Sequence, residues 1–152
     1  MTERSFSGSK VALFLGERLL VQLRDNRPDV AWAGHWDLPG GGRDGTETPW
    51  ETLSREVDEE VGLAMEEAEV LWRMQSTSGD KPDAIVWFYV ARMPADKVGE
   101  VLFGDEGEAW ALMAPDRFMG LTPVVPYFPA RLSRYLELAG GWGAPVAPAD
   151  WD

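Results

Sequence analysis

Three glutamates, Glu56, Glu59 and Glu60, fall within little more than one turn of a segment whose apolar residues recur at helical spacing. At 100° per residue, Glu56 and Glu60 lie about 40° apart on a helix surface, with Glu59 about 60° to the other side of Glu56. Trp50, Leu53, Val57 and Val61 fill a neighbouring stripe, which suits a core-facing edge. Like charges at this spacing repel, at about 0.2–0.5 kcal/mol per pair on an isolated helix. A solvated acidic face accounts for such a cluster. So does a hard divalent cation, since Mg²⁺ takes oxygen ligands and binds through a few carboxylates together with substrate phosphates. Arg55 lies one turn from both Glu51 and Glu59, placed to hold part of the acidic face in position.

The stretch before the helix decides between these. Gly41 is followed after five residues by Glu47, and after seven more by Arg55, Glu56, Val57, Glu59, Glu60, Gly62 and Leu63. This pattern, over residues 41–63, resembles the Nudix box at every defining position: the glycine, the lone glutamate, the Arg-Glu pair, the aliphatic residue, the Glu-Glu pair and the closing Gly-aliphatic. Leu38, Pro39 and Gly40 are similar to the usual run into that box.

The resemblance implies an α/β/α sandwich with a mixed β-sheet between helices, and an enzyme that hydrolyses nucleoside diphosphates linked to another moiety. It implies that Glu56 and Glu60 are the principal metal ligands, and that Glu59 is a further ligand or acts on water. The Gly41 carbonyl joins the ligand set, and the backbone of Gly40 approaches metal or phosphate. The implied cofactor is Mg²⁺, with Mn²⁺ as the alternative. Arg55 enters the catalytic set by orienting Glu56 or Glu59, and Glu47 bonds within the loop.

Outside the box, Glu106 resembles a late-loop acid that many relatives use as a ligand or base; an exposed acidic turn fits the sequence equally well. Arg24 either meets a phosphate or ends a strand in water, and the first is preferred. Trp32 and Trp36 are candidates for stacking on a base, worth about 1–3 kcal/mol where it occurs, and either fits a core as well. His35, the only histidine, has no partner that would make it catalytic and is assigned to structure.

The elements that must position these groups follow from local pattern. Residues 11–15 and 19–23 are apolar runs separated by Gly16, Glu17 and Arg18, which predicts a tight hairpin. Residues 24–34 read as a loop at the mouth of the site, and residues 35–39 as a short extended segment. Thr48 with Glu51 predicts a capping box, Pro49 fits the first helical turn, and Gly62 stands where a left-handed C-cap belongs. Residues 68–77, 84–90 and 108–113 read as strands, the second of them central; residues 94–105 read as a loop, residues 114–118 as a helical turn and residues 126–138 as an amphipathic helix. The result is an α+β domain over residues 1–139, with residues 140–152, rich in Gly, Ala and Pro, expected as a poorly ordered tail.

Composition narrows the partners. A net charge of -12 repels polyanions, so extended nucleic acid is disfavoured as a ligand while a small nucleotide stays compatible through a bound cation. The absence of cysteine removes disulfides and thiolate metal sites. No signal peptide or membrane span is evident, and a cytoplasmic monomer or homodimer is expected. The leading expectation is hydrolysis of a nucleoside triphosphate to the monophosphate and pyrophosphate. ADP-ribose or a nucleotide sugar is the close alternative. A non-catalytic nucleotide-sensing module stands lower, because all the box glutamates are present. Oxidised guanine nucleotides stay open but are not favoured: Thr122, Pro123, Val124 and Val125 offer no asparagine or aspartate where, as the resemblance implies, some sanitising relatives read the purine.

Overall fold

A computed structural model describes residues 6–77, 84–104, 107 and 109–151. Its strands are β1 (Phe6–Leu15), β2 (Arg18–Leu23), β3 (Trp36–Asp37), β4 (Gly40–Gly42), β5 (Glu69–Thr77), β6 (Ile85–Met93) and β7 (Ala109–Met113). Its helices are α1 (Pro49–Val61), α2 (Pro115–Met119) and α3 (Tyr127–Ala139). The expected loop after β6 contains a 3-10 turn at Ala95–Glu100.

Strand β1 explains the layering. Ala12 and Phe14 pack on one face of the sheet and Val11, Leu13 and Leu15 on the other, and all five are buried. A strand apolar on both faces belongs in the interior of a sheet covered on both sides. It pairs parallel with β6 and antiparallel with β2 and β4. The hairpin to β2 turns at Gly16, φ 65°, opposite the Leu15 and Arg18 pair. Strand β6 lies between β1 and β5, the central position its apolar run predicts, and β2 carries β3 and β7 beyond. Leu53, Val57 and Val61 of α1 pack in one cluster; Phe128, Leu132 and Tyr135 of α3, with Phe118 of α2, pack in the other. The fold is therefore an α/β/α sandwich around a mixed sheet.

The segment after Gly140 departs from expectation. Residues 140–151 dock on the α3 face rather than hang loose. Strand β5 has a register shift between Val70 and Trp72, and both Leu71 and Trp72 are buried. The Leu71 carbonyl accepts the Val146 amide at 2.8 Å, and Val146 is 3% exposed. Trp142 packs against Phe14 and Tyr135, and the Trp151 indole donates to the Val146 carbonyl. Composition missed this because two tryptophans and a valine, spaced by glycine and proline, suffice to anchor a short segment on an apolar face. Among the described residues, no helix is long and apolar enough to cross a membrane.

Candidate active site

Helix α1 is fixed at both ends by the residues its sequence nominated. The Thr48 hydroxyl accepts the Glu51 amide at 3.2 Å and the Glu51 carboxylate accepts the Thr48 amide at 2.9 Å, a complete capping box. Gly62, at φ 71°, closes the helix with its amide on the Asp58 carbonyl. The chain then returns: the Leu102 and Gly104 amides bond the Val61 and Glu60 carbonyls at 2.8 Å each. A Cβ at Gly104 would stand 2.6 Å from the Glu59 carbonyl, so only glycine permits this approach.

Glu47 and Arg55 form the lock beneath the acidic face. The Glu47 carboxylate accepts from the Asp44 amide, the Thr52 hydroxyl and the Arg55 guanidinium, whose Nε lies 2.8 Å from Oε2. The Arg55 hydrogen bonds, above all, hold the Glu47 carboxyl down to about 2. Arg55 also donates to the Gly42 carbonyl at 2.9 Å, to Glu56 at 3.0 Å and to Glu59 at 3.3 Å. It thus restrains two of the three clustered glutamates.

The third, Glu60, is 8% exposed and accepts the Gly40 amide at 2.8 Å. Burial pushes its carboxyl up to about 8, against the opposing pull of Lys10 and the Gly40 hydrogen bond, while Glu56 and Asp37 push it further up. Gly40 has φ 127°, and a Cβ there would fall 2.1 Å from the Ser9 carbonyl. A Cβ at Gly41 would lie 2.6 Å from the Glu56 carboxylate, and one at Gly8 would lie 2.6 Å from the Gly41 carbonyl. The glycines therefore leave a cradle in which backbone and carboxylate oxygens approach closely. That donor set is all hard oxygen and fits Mg²⁺ or Mn²⁺. Among the described residues the carboxylates do not converge into a ready-made metal cage. Glu59 in particular is 59% exposed and turned to Arg55.

These groups line a cleft of about 680 Å³ that also takes in Lys10, Arg24, Tyr127 and Arg131. Arg24 donates from Nη1 to Asp37 at 2.8 Å and from Nε to the Ala31 carbonyl at 2.7 Å. Lys10 Nζ reaches the same Asp37 oxygen at 3.0 Å and the Leu38 carbonyl at 3.1 Å. Asp37, 2% exposed, is thus the buried anion that sets two cations in the cleft wall. Sequence reading missed Lys10, Asp37, Tyr127 and Arg131. A strand lysine opposite an Asp-Leu-Pro run was the one signal for the first pair, and helical phase on α3 the one signal for the second.

The structure gathers Arg24, Gly40, Gly41, Glu56, Glu59 and Glu60 around this cleft, with Arg55 behind them. It does not bring Trp36 to the cleft wall. Trp36 is half-buried, its backbone bonded to Pro123 and Val125, and its ring packs against the α3-side core. Trp32, at φ 54°, sits edge-on to His35. Glu106 lies outside the described residues.

A family model described as NUDIX domain matches residues 9–135. A Mycobacterium tuberculosis protein provisionally named 8-oxo-dGTP diphosphatase 3 is 42% identical over 69 residues, 45% of this chain and 31% of that protein. An RNA pyrophosphohydrolase of Acidiphilium cryptum is 41% identical over 59 residues, 39% of this chain and 35% of the relative. The chain thus spans about a third of the length of these curated relatives. The crystal structure of the Nudix hydrolase RenU from M. smegmatis superposes with a TM-score of 0.71 at 22% identity, covering 92% of this chain and 88% of that one, a likeness of fold. Since the family model spans nearly the whole sheet and all three helices but for the last turn of α3, the chain belongs to the Nudix domain family.

Proposed function

We propose that this chain is a divalent-metal-dependent pyrophosphohydrolase that cleaves the phosphoanhydride of a small nucleotide, a nucleoside triphosphate yielding the monophosphate and pyrophosphate. The observation that carries the reading is the meeting of opposite charges in one cleft, which Glu56, Glu59 and Glu60 line together with Lys10 and Arg24. Relatives named for a diphosphatase and for a pyrophosphohydrolase agree on the class of bond and differ in the size of substrate. The net charge of -12 favours the small one.

Glu56 and Glu60, with the Gly41 carbonyl, would hold the cation, with Glu59 as a further ligand on leaving Arg55. The metal when bound supplies charge neutralisation for the phosphate oxygens and lowers the pKa of water. Water oxygen bonds to one phosphorus, the bridging P–O bond breaks, and the pyrophosphate leaves with the electron pair. The proton from water passes to a carboxylate of this cluster. Arg55 keeps Glu56 and Glu59 aimed, while Lys10 and Arg24, fixed by Asp37, orient the anionic chain.

The test is phosphate release, coupled to pyrophosphatase or phosphatase as the product requires, from nucleoside triphosphates, ADP-ribose, nucleotide sugars and dinucleoside polyphosphates, each with Mg²⁺ or Mn²⁺ and with excess chelator. Strong preference for triphosphates that vanishes with chelator is expected. Turnover that persists in chelator refutes the metal-dependent reading.

A further inference from the structure

Helix α3 carries a charge that the fold itself leaves unanswered. Arg131 is 6% exposed, and among the described residues its guanidinium makes no hydrogen bond and no ion pair. Its neighbours are rings: Cζ stands 4.4 Å from the Tyr127 centroid and 5.7 Å from that of Phe88. Cation–π contact offsets part of the burial, and the N–H donors, which are not sealed from the cleft, find no acceptor among the described residues. The position lies beside Leu132 on the buried face of α3, where leucine or methionine would pack without desolvating a charge. A ligand that supplies acceptors would pair the free donors, and Arg131 lines the cleft.

The ends of the cleft differ. Helices α1 and α3 cover opposite faces of the sheet, so the carboxylates and Arg131 enter the cleft from different sides. Lys10 and Arg24 lie between, joined by Asp37; the charge of Lys10 acts on Glu60 at one end and on Tyr127 at the other. A nucleotide with its phosphates at the carboxylate end extends past Lys10 and delivers its base to Tyr127 and Arg131.

A guanidinium fork donates to two adjacent acceptors in one plane. Guanine and hypoxanthine present such a pair, O6 and N7, whereas adenine sets an amino donor beside N7. We propose that Arg131 is a specificity-determining residue that selects 6-oxopurine nucleotides by pairing with O6 and N7 at the Tyr127 end of the cleft. This rests on the cleft binding a nucleotide as proposed above, and not on its hydrolysing one.

The experiment is calorimetric binding of GMP, IMP and AMP to the whole chain with Mg²⁺ present, beside turnover of GTP, ITP and ATP, for the wild type, Arg131→Gln and Arg131→Lys. GMP and IMP should bind about 5- to 150-fold more tightly than AMP, the discrimination expected of one bidentate pair. Arg131→Gln should abolish the preference, by weakening GMP and IMP and leaving AMP bound as tightly as before or more tightly, since a carboxamide pairs with N6 and N7 of adenine, and Arg131→Lys should recover only part of the preference. Equal binding by the wild type overturns the inference whatever the variants do. So does a uniform loss for all three nucleotides in Arg131→Gln, which would make Arg131 a general anion grip or a packing residue. Selective binding without turnover keeps the inference and sinks the hydrolytic reading; turnover without base preference does the reverse.

Discussion

Glu47 accepts an amide, a hydroxyl and a guanidinium and is held down to about 2, whereas Glu60 accepts one backbone amide and is pushed up to about 8. Both belong to the same 41–63 segment. Two arginines show the same contrast: Arg55 is met by three carboxylates and a carbonyl, Arg131 by aromatic faces alone among the described residues. Where every donor and acceptor is matched, the group holds the fold. Where burial leaves a group in the cleft short, a metal ion or ligand from outside the chain would supply the missing partner.

The contrast breaks most visibly through activity. Glu60→Gln and Glu56→Gln should each lower kcat by about 10²–10⁴, with a thermal midpoint unchanged or, for Glu60→Gln, raised. The Glu60 carboxyl, pushed up to about 8, must take up a proton on folding at neutral pH, and an amide need not. Turnover within tenfold of wild type in either variant would show that these carboxylates are not a cation site. Glu47→Gln should behave in the opposite sense. It unties Arg55, so the thermal midpoint falls, and kcat falls about 10- to 100-fold through misaimed glutamates. A midpoint equal to wild type would mean that the lock is not structural.

Two milder perturbations sharpen the same distinction. Mg²⁺ at a hundred times its dissociation constant should stabilise the wild type by about 2.7 kcal/mol, a rise of several degrees in the melting temperature, and Glu60→Gln should lose that rise. Acid should act on Glu47. Its folded pKa lies below its unfolded value of 4.5, so its stabilising effect is complete above that value and is lost as pH falls toward about 2. Denaturant unfolding across this window should show a steeper loss for wild type than for Glu47→Gln; matching slopes would remove Glu47 from the acid response.

Legibility followed the range of the interactions. The capping box, the hairpin turn and the C-cap are set within a few residues, and Thr48, Gly16 and Gly62 announced them in sequence. The carboxylate cluster needed only helical phase. By contrast, Lys10 meets Asp37 because β1 and the residues flanking β3 are neighbours in space, and Val146 meets Leu71 across about half of the chain. No local pattern encodes such pairings. Gly40 was legible as a close-approach glycine, but the group it serves, the Glu60 carboxylate, became visible only when β4 was laid beside α1.

Trp36 gives the smallest expected effect and a control for the two ends of the cleft. From sequence, stacking on a base and packing in a core were both open. In the fold its amide bonds Pro123 and its carbonyl accepts from Val125, which fixes the ring against the α3-side cluster rather than in the cleft. Trp36→Leu should therefore lower the melting temperature by a few degrees through lost packing and leave KM for the preferred nucleotide within about twofold. Had Trp36 stacked on the base, the same change would raise KM by about 5- to 150-fold, the loss of 1–3 kcal/mol. A rise of that size, with the fold intact, would move the base toward the β3 end of the cleft and away from Arg131.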